Sequence, residues 1–186
     1  MRIFIGIKLD DTVLDSIETF LKPFRKIASP VKWTKRENLH ITLKFIGDVP
    51  DDTYSEIETR LTAADFNTGP MDLKFTGCGK FGKNSDMNIF WVGMEKNEKL
   101  EDMFNRIEAA LEKAGFPKET RAFKPHITVA RNKKTFNFKS FFQLIDDNKE
   151  RVISEFTITR FQVFKSLLTP EGPIYTVLKE IPLVTT

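Results

Sequence analysis

The sequence is short of cysteine, of long apolar runs and of concentrated charge. Its single cysteine, Cys78, cannot close a disulfide within the chain, and the first residues lack an apolar core followed by a cleavage site, so we expect a cytoplasmic protein. No run approaches the roughly 20 apolar residues that a membrane helix needs. The formal net charge is +3, without a long block of basic residues, so an acidic partner is permitted but not required.

Apolar residues are plentiful by contrast. Hydrophobic residues fill 40% of the 186 positions, and 18 residues are phenylalanine, which favours a folded protein over a disordered one. The length allows one sizeable core or two small lobes that share a core. We therefore treat residues 1–186 as one domain. Periodicity predicts helices over about 11–28, 51–64, 97–114 and 139–147, and strands over about 2–9, 71–81, 87–94, 151–167 and 174–181.

Histidine is scarce, and both copies lie in the same short motif. His40-Ile41-Thr42-Leu43 is matched by His126-Ile127-Thr128-Val129, 86 positions later. Coincidence is a poor explanation for two histidines with the same neighbours. Each motif has strand character, and side chains alternate along a strand, so each histidine shares one face of the sheet with its threonine while the apolar residues occupy the other.

The polar face of each strand thus carries an imidazole and a hydroxyl. Imidazole titrates near neutral pH and can give or take a proton, and a threonine hydroxyl can donate a hydrogen bond to an anionic oxygen. Two such pairs facing each other suit in-line displacement at phosphorus, with a base on the incoming oxygen and an acid on the departing one. The residues alone do not say which histidine is the acid.

The predicted elements repeat at the spacing of the two histidines. A shift of 86 positions lays the strand 2–9 on 87–94, and it lays the helices that begin near 10 and 51 on those that begin near 97 and 138. The strand 71–81 falls in the same way on 156–167. We therefore expect a duplicated β-α-β-α-β unit, about 1–86 and 87–186, with one extra strand at the end and a pseudo-two-fold axis that sets the histidine strands face to face.

Several residues near the motifs have two interpretations. Arg131 can bind phosphate through its guanidinium group, although strict alternation puts it opposite His126 unless the strand twists or bulges. Lys44 shares the His40 face and is either an anion partner or a solvated lysine. Three aromatic residues can either stack on a nucleobase or pack in the core: Trp33, Phe123 and Tyr175. A zinc site would lack its third and fourth ligands at short spacing, so we expect no metal.

The two motifs and their flanks closely resemble the two-histidine (2H) phosphoesterase superfamily. Within it they resemble the bacterial and archaeal RNA 2′,3′-cyclic phosphodiesterases, formerly called 2′-5′ RNA ligases. The resemblance runs nearly from end to end, through residues 2–5, 37–47, 90–93, 123–131 and 166–175.

This resemblance implies a fold and a set of roles. The fold is α+β and bilobal, with largely antiparallel sheets lining a central cleft. His40 would be the proton donor to the leaving ribose 3′ oxygen, and His126 the proton acceptor that activates water. Thr42 and Thr128 would hold the non-bridging phosphate oxygens with the help of Arg131. The product would be a 2′-phosphomonoester, formed without a metal or other cofactor.

We therefore expect a hydrolase that opens a ribose 2′,3′-cyclic phosphate at the end of an RNA or oligonucleotide. Two alternatives stay open. One is a related phosphodiesterase for another nucleotide, such as an ADP-ribose cyclic phosphate or a 2′-5′ oligoadenylate, and the other is a non-catalytic module that binds RNA ends. Neither a membrane nor a protein partner is implied, and a monomer is the working expectation.

Overall fold

The described strands form a single antiparallel sheet. The computed structural model describes residues 1–27, 31–82, 89–132 and 139–184. The strands are β1 (Arg2–Lys8), β2 (Lys32–Trp33), β3 (His40–Asp48), β4 (Met71–Phe81), β5 (Ile89–Met94), β6 (Ile127–Arg131), β7 (Val152–Ile158), β8 (Arg160–Thr169) and β9 (Gly172–Pro182). The helices are α1 (Asp11–Ile27), α2 (Asp51–Ala63), α3 (Glu98–Glu112) and α4 (Lys139–Asp146), with a short 3-10 helix at Arg36–Asn38.

The order of the strands is symmetric about the two histidine strands. It reads β7-β4-β5-β6-β3-β1-β8-β9, with β2 paired to β6 beside β3. β3 and β6 therefore lie at the centre, β1 and β5 flank them, and β9 and β7 form the two edges. The predicted α+β class with antiparallel strands is confirmed. We expected separate sheets in the two halves, whereas the strands of both halves form one continuous sheet. The proposed repeat boundary at 86/87 lies outside the described residues, and the division into two repeats stays a prediction.

One predicted strand, over 151–167, is wrong. The segment forms two strands that lie toward opposite edges of the sheet. The chain leaves the sheet at Thr159, between β7 and β8. β7 pairs with β4 along Val152–Ile158, whereas β8 pairs with β1 and β9. Phe156 and Ile158 alternate with polar residues before the break, but two consecutive polar residues, Thr159 and Arg160, shift the alternation by one position before Phe161. The sequence therefore carries a sign of the break, although it does not identify the new partner strand. The single extra strand that we expected is therefore two strands, β7 and β9.

Two of the helices, α1 and α3, begin where the sequence supplies a capping side chain. Asp10 Oδ1 accepts a hydrogen bond from the Val13 backbone N–H at 2.8 Å, and Asn97 Oδ1 accepts one from the Leu100 N–H at 3.0 Å. α1 continues through Pro23. The predicted end of this helix at residue 28 lies outside the described residues. No helix in the described ranges is long and apolar enough to cross a membrane.

The core lies on one face of the central strands. Ile41 and Leu43 of β3 and Ile127 and Val129 of β6 are buried together with the inward faces of all four helices. Because side chains alternate across a strand, the histidines and threonines of both motifs face the opposite side of the sheet. The helices leave this second face uncovered at the centre, and the site is there.

Candidate active site

Each histidine ring is fixed by the backbone two residues before it. His40 Nδ1 lies 2.7 Å from the Asn38 carbonyl oxygen, and His126 Nδ1 lies 2.7 Å from the Lys124 carbonyl oxygen. A carbonyl oxygen only accepts, so Nδ1 carries the proton in each ring and donates it. In the neutral state Nε2 is then the unprotonated nitrogen of each ring, available to take a proton from a substrate or water.

The two motifs meet where β3 pairs with β6. Ile41 lies opposite Ile127 in an antiparallel register, and it is the one residue pair recorded between these strands within the described part of the chain. The antiparallel direction puts Thr128 on the His40 side of this pair and His126 on the Thr42 side. The strands separate beyond the pair, and the space on the polar face is the cleft.

A bulge brings Arg131 onto the cleft side of β6. Thr128 pairs with Trp91 and Ala130 with Phe90, so Val129 is an extra residue opposite β5. Val129 and Ala130 are both buried, whereas Thr128 and Arg131 are not. The alternation therefore shifts by one position, and Arg131 lines the cleft together with Thr128. This is the irregularity that the sequence required for Arg131 to reach the site.

A matching bulge in β3 removes Lys44 from the site. Gly6 pairs with Thr42 and Ile5 with Lys44, so Leu43 is the extra residue. Lys44 consequently turns toward the helices, where its Nζ lies 2.8 Å from both carboxylate oxygens of Glu108. Both interpretations of Lys44, as an anion partner on the His40 face and as a solvated lysine, are therefore wrong, because its side chain is only 9% exposed.

Four of the five predicted site residues line one cavity. His40, Thr42, Thr128 and Arg131 line a cleft of about 380 Å³. His126 is not part of that lining. His126 lies across from Thr42 along the paired strands, and its ring centroid is 5.2 Å from that of Phe81 and 6.4 Å from that of Trp91.

His40 lies in an aromatic environment that changes its acidity. Its ring centroid is 4.8 Å from that of Phe4 and 5.2 Å from that of Tyr175, and its Nε2 is 3.0 Å from the Thr42 hydroxyl. Burial lowers the pKa of His40, and the charges of Arg131 and His126 lower this pKa further, against the opposing effect of the Asn38 carbonyl. His40 is therefore neutral in the free protein at pH 7.

The three aromatic candidates have different positions. Tyr175 and Trp33 line the cleft, and Trp33 also packs at 6.2 Å from Phe90. Phe123 stacks on Phe104 with a centroid distance of 4.1 Å and packs against the core. Of its two interpretations, core packing is therefore the correct one.

Other residues of the cleft were not assigned a role from the sequence. Lys32, Lys35 and Phe45 line it as well. β2 lines the cleft because it pairs with the end of β6 on the side where β3 pairs with the start of β6. The Thr34 hydroxyl, directly after β2, donates to the Thr128 carbonyl at 3.0 Å. A two-residue strand is too short to be predicted from its pattern. The basic residues before His40 could nevertheless have indicated an anion-binding segment. Among the described residues, no group of three or more His, Cys, Asp or Glu side chains is arranged to hold a metal ion.

Known proteins are similar to this chain in both sequence and fold. Residues 13–169 match the 2′-5′ RNA ligase superfamily. The RNA 2′,3′-cyclic phosphodiesterase of Methanocaldococcus jannaschii is 33% identical over 180 residues, which cover 97% of this chain and 99% of that protein. The protein of the same name from Thermotoga maritima is 32% identical over 180 residues, covering 97% and 94%.

Solved structures agree with this result. The crystal structure of the Thermus thermophilus protein TT0787 is 26% identical, with a TM-score of 0.74 and coverage of 100% of this chain and 99% of that one. The apo structure of E. coli LigT is 20% identical, with a TM-score of 0.76 and coverage of 100% and 98%, and shows the fold alone. The superfamily match spans well over half of the chain and both histidine motifs. The chain belongs to the 2′-5′ RNA ligase superfamily.

Proposed function

We propose that this chain is a metal-independent hydrolase that opens a ribose 2′,3′-cyclic phosphate at the end of an RNA or oligonucleotide and leaves a 2′-phosphomonoester. The observation that carries the proposal is the equivalent anchoring of the two imidazoles. Each donates Nδ1–H to a backbone carbonyl, which leaves Nε2 as the nitrogen for proton transfer, and each lies on the same face as a threonine hydroxyl. In the absence of substrate the Thr42 hydroxyl contacts His40 Nε2 at 3.0 Å. The names of the related proteins support the same substrate.

The reaction is an in-line displacement at phosphorus. His126 Nε2 takes a proton from water as the water oxygen attacks, the bond between phosphorus and O3′ breaks, and His40 gives its Nε2 proton to O3′. Thr42 and Thr128 donate to the non-bridging oxygens, and Arg131 stabilises the charge that these oxygens carry. The resemblance to the 2H phosphoesterases supplies the choice of His40 as acid.

The lowered pKa of His40 has a consequence for this role. An acid must be protonated before it acts, and burial makes the protonated form of His40 scarce in the free protein above its ordinary pKa of 6.5. An anionic phosphate beside the ring favours the imidazolium and opposes this effect. We therefore expect bell-shaped pH profiles, with an alkaline limb that lies at lower pH in kcat/KM than in kcat. A flat profile from pH 5 to 9 would count against two-histidine catalysis.

A substrate with sulfur in place of the 3′ oxygen tests which histidine is the acid. A thiolate leaves without a proton, so this substrate needs the base but not the acid. His40→Ala should lower kcat for the oxygen substrate by about 10²–10⁴ and should affect the sulfur substrate little. His126→Ala should lower both. The reverse pattern would exchange the two roles, and full activity of either variant on the oxygen substrate would refute the mechanism.

Product analysis and chelation complete the test. Hydrolysis of adenosine 2′,3′-cyclic phosphate should give the 2′-phosphate, with the same rate in EDTA as in its absence. Loss of activity in EDTA that added metal restores would contradict the metal-independent mechanism. Parallel assays with an ADP-ribose cyclic phosphate and a 2′-5′ oligoadenylate would identify a different nucleotide substrate. The predicted cytoplasmic location and monomeric state stay predictions.

A further inference from the structure

The wall of the cleft on the His40 side is cationic. Lys32, Lys35 and Arg131 line it, and Glu171 is the one acidic residue among the described lining residues. We propose that Lys32 and Lys35, which lie beside the Arg131 that serves the cyclic phosphate, bind the phosphodiester that joins the terminal nucleotide of the substrate to the nucleotide before it. The preferred substrate is then an oligonucleotide and not a mononucleotide. This inference rests on the proposed function and specifies its substrate class.

Lys32 and Arg131 are direct neighbours across two strands. They are Cα partners in the pairing of β2 with β6. Like charges placed opposite each other in a sheet destabilise it, and an anion bound between them removes that cost. Neither side chain forms an ion pair with a carboxylate in the described part of the chain. Arginines on the rest of the surface commonly do, for example Arg25 with Glu18 at 2.5 Å and Arg160 with Glu180 at 2.9 Å.

The acidic residue of the wall does not cancel this charge. Hydrogen bonding by its own backbone N–H is the first cause that lowers the pKa of Glu171, and the charge of Lys35 is a smaller one. The Thr169 hydroxyl donates to the Gly172 carbonyl at 2.7 Å. Of the three basic residues of the wall, only Lys35 contributes to the lowered pKa of Glu171. The wall keeps a net positive charge next to the phosphate site.

The cationic wall lies at the end of the cleft where the ribose is expected. Along the paired strands, Thr128 and Arg131 lie on the His40 side of the pair Ile41–Ile127. In the proposed mechanism His40 protonates O3′, which is an atom of the ribose. The terminal nucleoside therefore extends from the phosphate site toward β2, and its 5′ side leads to Lys32 and Lys35.

The test compares three substrates that end in the same cyclic phosphate. These are adenosine 2′,3′-cyclic phosphate, the same compound with a 5′-phosphate, and the dinucleotide ApA 2′,3′-cyclic phosphate. Lys32→Gln and Lys35→Gln should each lower kcat/KM for the dinucleotide about tenfold, the usual effect of one charged hydrogen bond. The value for the unphosphorylated mononucleotide should stay within about twofold, since no second phosphate is present. Lys22→Gln is the control, because it removes the same charge from an exposed position of α1 outside the cleft.

Salt dependence gives a second measurement. Each phosphate contact by a lysine adds to the slope of log(kcat/KM) against log(salt concentration), by about 0.7 for a single strand. The slope should be steeper for the dinucleotide than for the mononucleotide, and each lysine variant should reduce the difference. A gain in kcat/KM from the 5′-phosphate alone supports the phosphate site. A dinucleotide preference that both lysine variants keep would overturn it.

The outcomes separate this inference from the proposed function. If neither the mononucleotide nor the dinucleotide is hydrolysed, the proposed function fails. If the wild-type protein hydrolyses both with equal kcat/KM, only the inference about the second phosphate fails. The same holds if the lysine variants lower kcat/KM for both substrates to the same extent, since the lysines would then act at the cyclic phosphate itself.

Discussion

The ion pair between Lys44 and Glu108 allows a test of the bulge at Leu43 in β3, which turns Lys44 toward the helices. Lys44 Nζ lies 2.8 Å from each oxygen of the Glu108 carboxylate and 2.9 Å from the Pro117 carbonyl oxygen, so all three of its protons have acceptors. Glu108 also accepts from the Glu119 N–H at 2.8 Å. The side chains are only 9% and 5% exposed. Removing either partner leaves the other charge buried without compensation.

The expected magnitudes follow from this burial. Lys44→Met or Glu108→Leu alone should lower the free energy of unfolding by about 3–5 kcal/mol, the usual cost of half a buried pair. The double variant removes both charges and should lose only about 1–2 kcal/mol, mostly from the Glu119 N–H that loses its acceptor. The interaction term of the double-mutant cycle is therefore large and favourable.

Urea denaturation followed by tryptophan fluorescence measures these free energies. The matched control is Lys74→Met, since Lys74 and Glu95 form a pair at 2.9 Å whose side chains are 35% and 51% exposed. This exposed pair should contribute less than about 1 kcal/mol. If Lys44→Met also costs less than about 1 kcal/mol, then Lys44 is not held on the helix side by a buried pair, and the assignment of the bulge at Leu43 is refuted.

Three further predictions concern the site and the core. A Cβ atom at Gly6 would lie 2.6 Å from the Ile41 carbonyl oxygen and 3.5 Å from His40 Cδ2, so Gly6→Ala should displace β3 at the site and lower kcat by about 10–100-fold, measured at saturating substrate. An unchanged kcat would show that the strands adjust freely. Burial, with the charges of Arg131 and His126, lowers the pKa of His40 in the folded state, so the unfolded chain binds this proton more tightly, and the free energy of unfolding should fall as pH drops below about 6.5. His40→Gln should flatten that dependence, and an equal slope in both proteins would contradict the burial effect. Burial raises the pKa of Cys78 to about 12, so a thiol reagent at pH 8 should label it only in denaturant, and rapid labelling of the native protein would show that it is accessible.

The local part of the site could be predicted from the sequence. Alternation along a strand depends only on neighbouring residues, so the shared face of each histidine and its threonine followed from spacing alone. The bulges did not follow, because each depends on a partner strand that the motif does not contain. The same type of bulge turns Lys44 away from the cleft and turns Arg131 into it, so a strict alternation argument misplaces both by one position.

Pairings between distant segments were the other limit. The strand predicted over 151–167 has two sets of partners. The alternation slips by one position at Thr159 and Arg160, which marks a break but does not say that the next residues pair at the other end of the sheet. Lys44 and Glu108 are 64 residues apart, so neither side chain reveals the other. The cationic wall likewise forms only when β2 pairs with β6.

The two halves of the site share a backbone arrangement but differ in the side chain five positions after each histidine. Phe45 follows His40 in this way, and Arg131 follows His126; both line the cleft. Because β3 and β6 are antiparallel, Arg131 lies at the His40 end and Phe45 at the His126 end. One end therefore offers a positive charge, and the other offers an aromatic ring that is 56% exposed. A cyclic phosphate carries its ribose on one side only and can distinguish these ends, so the different roles proposed for two equally anchored histidines can arise from these two positions.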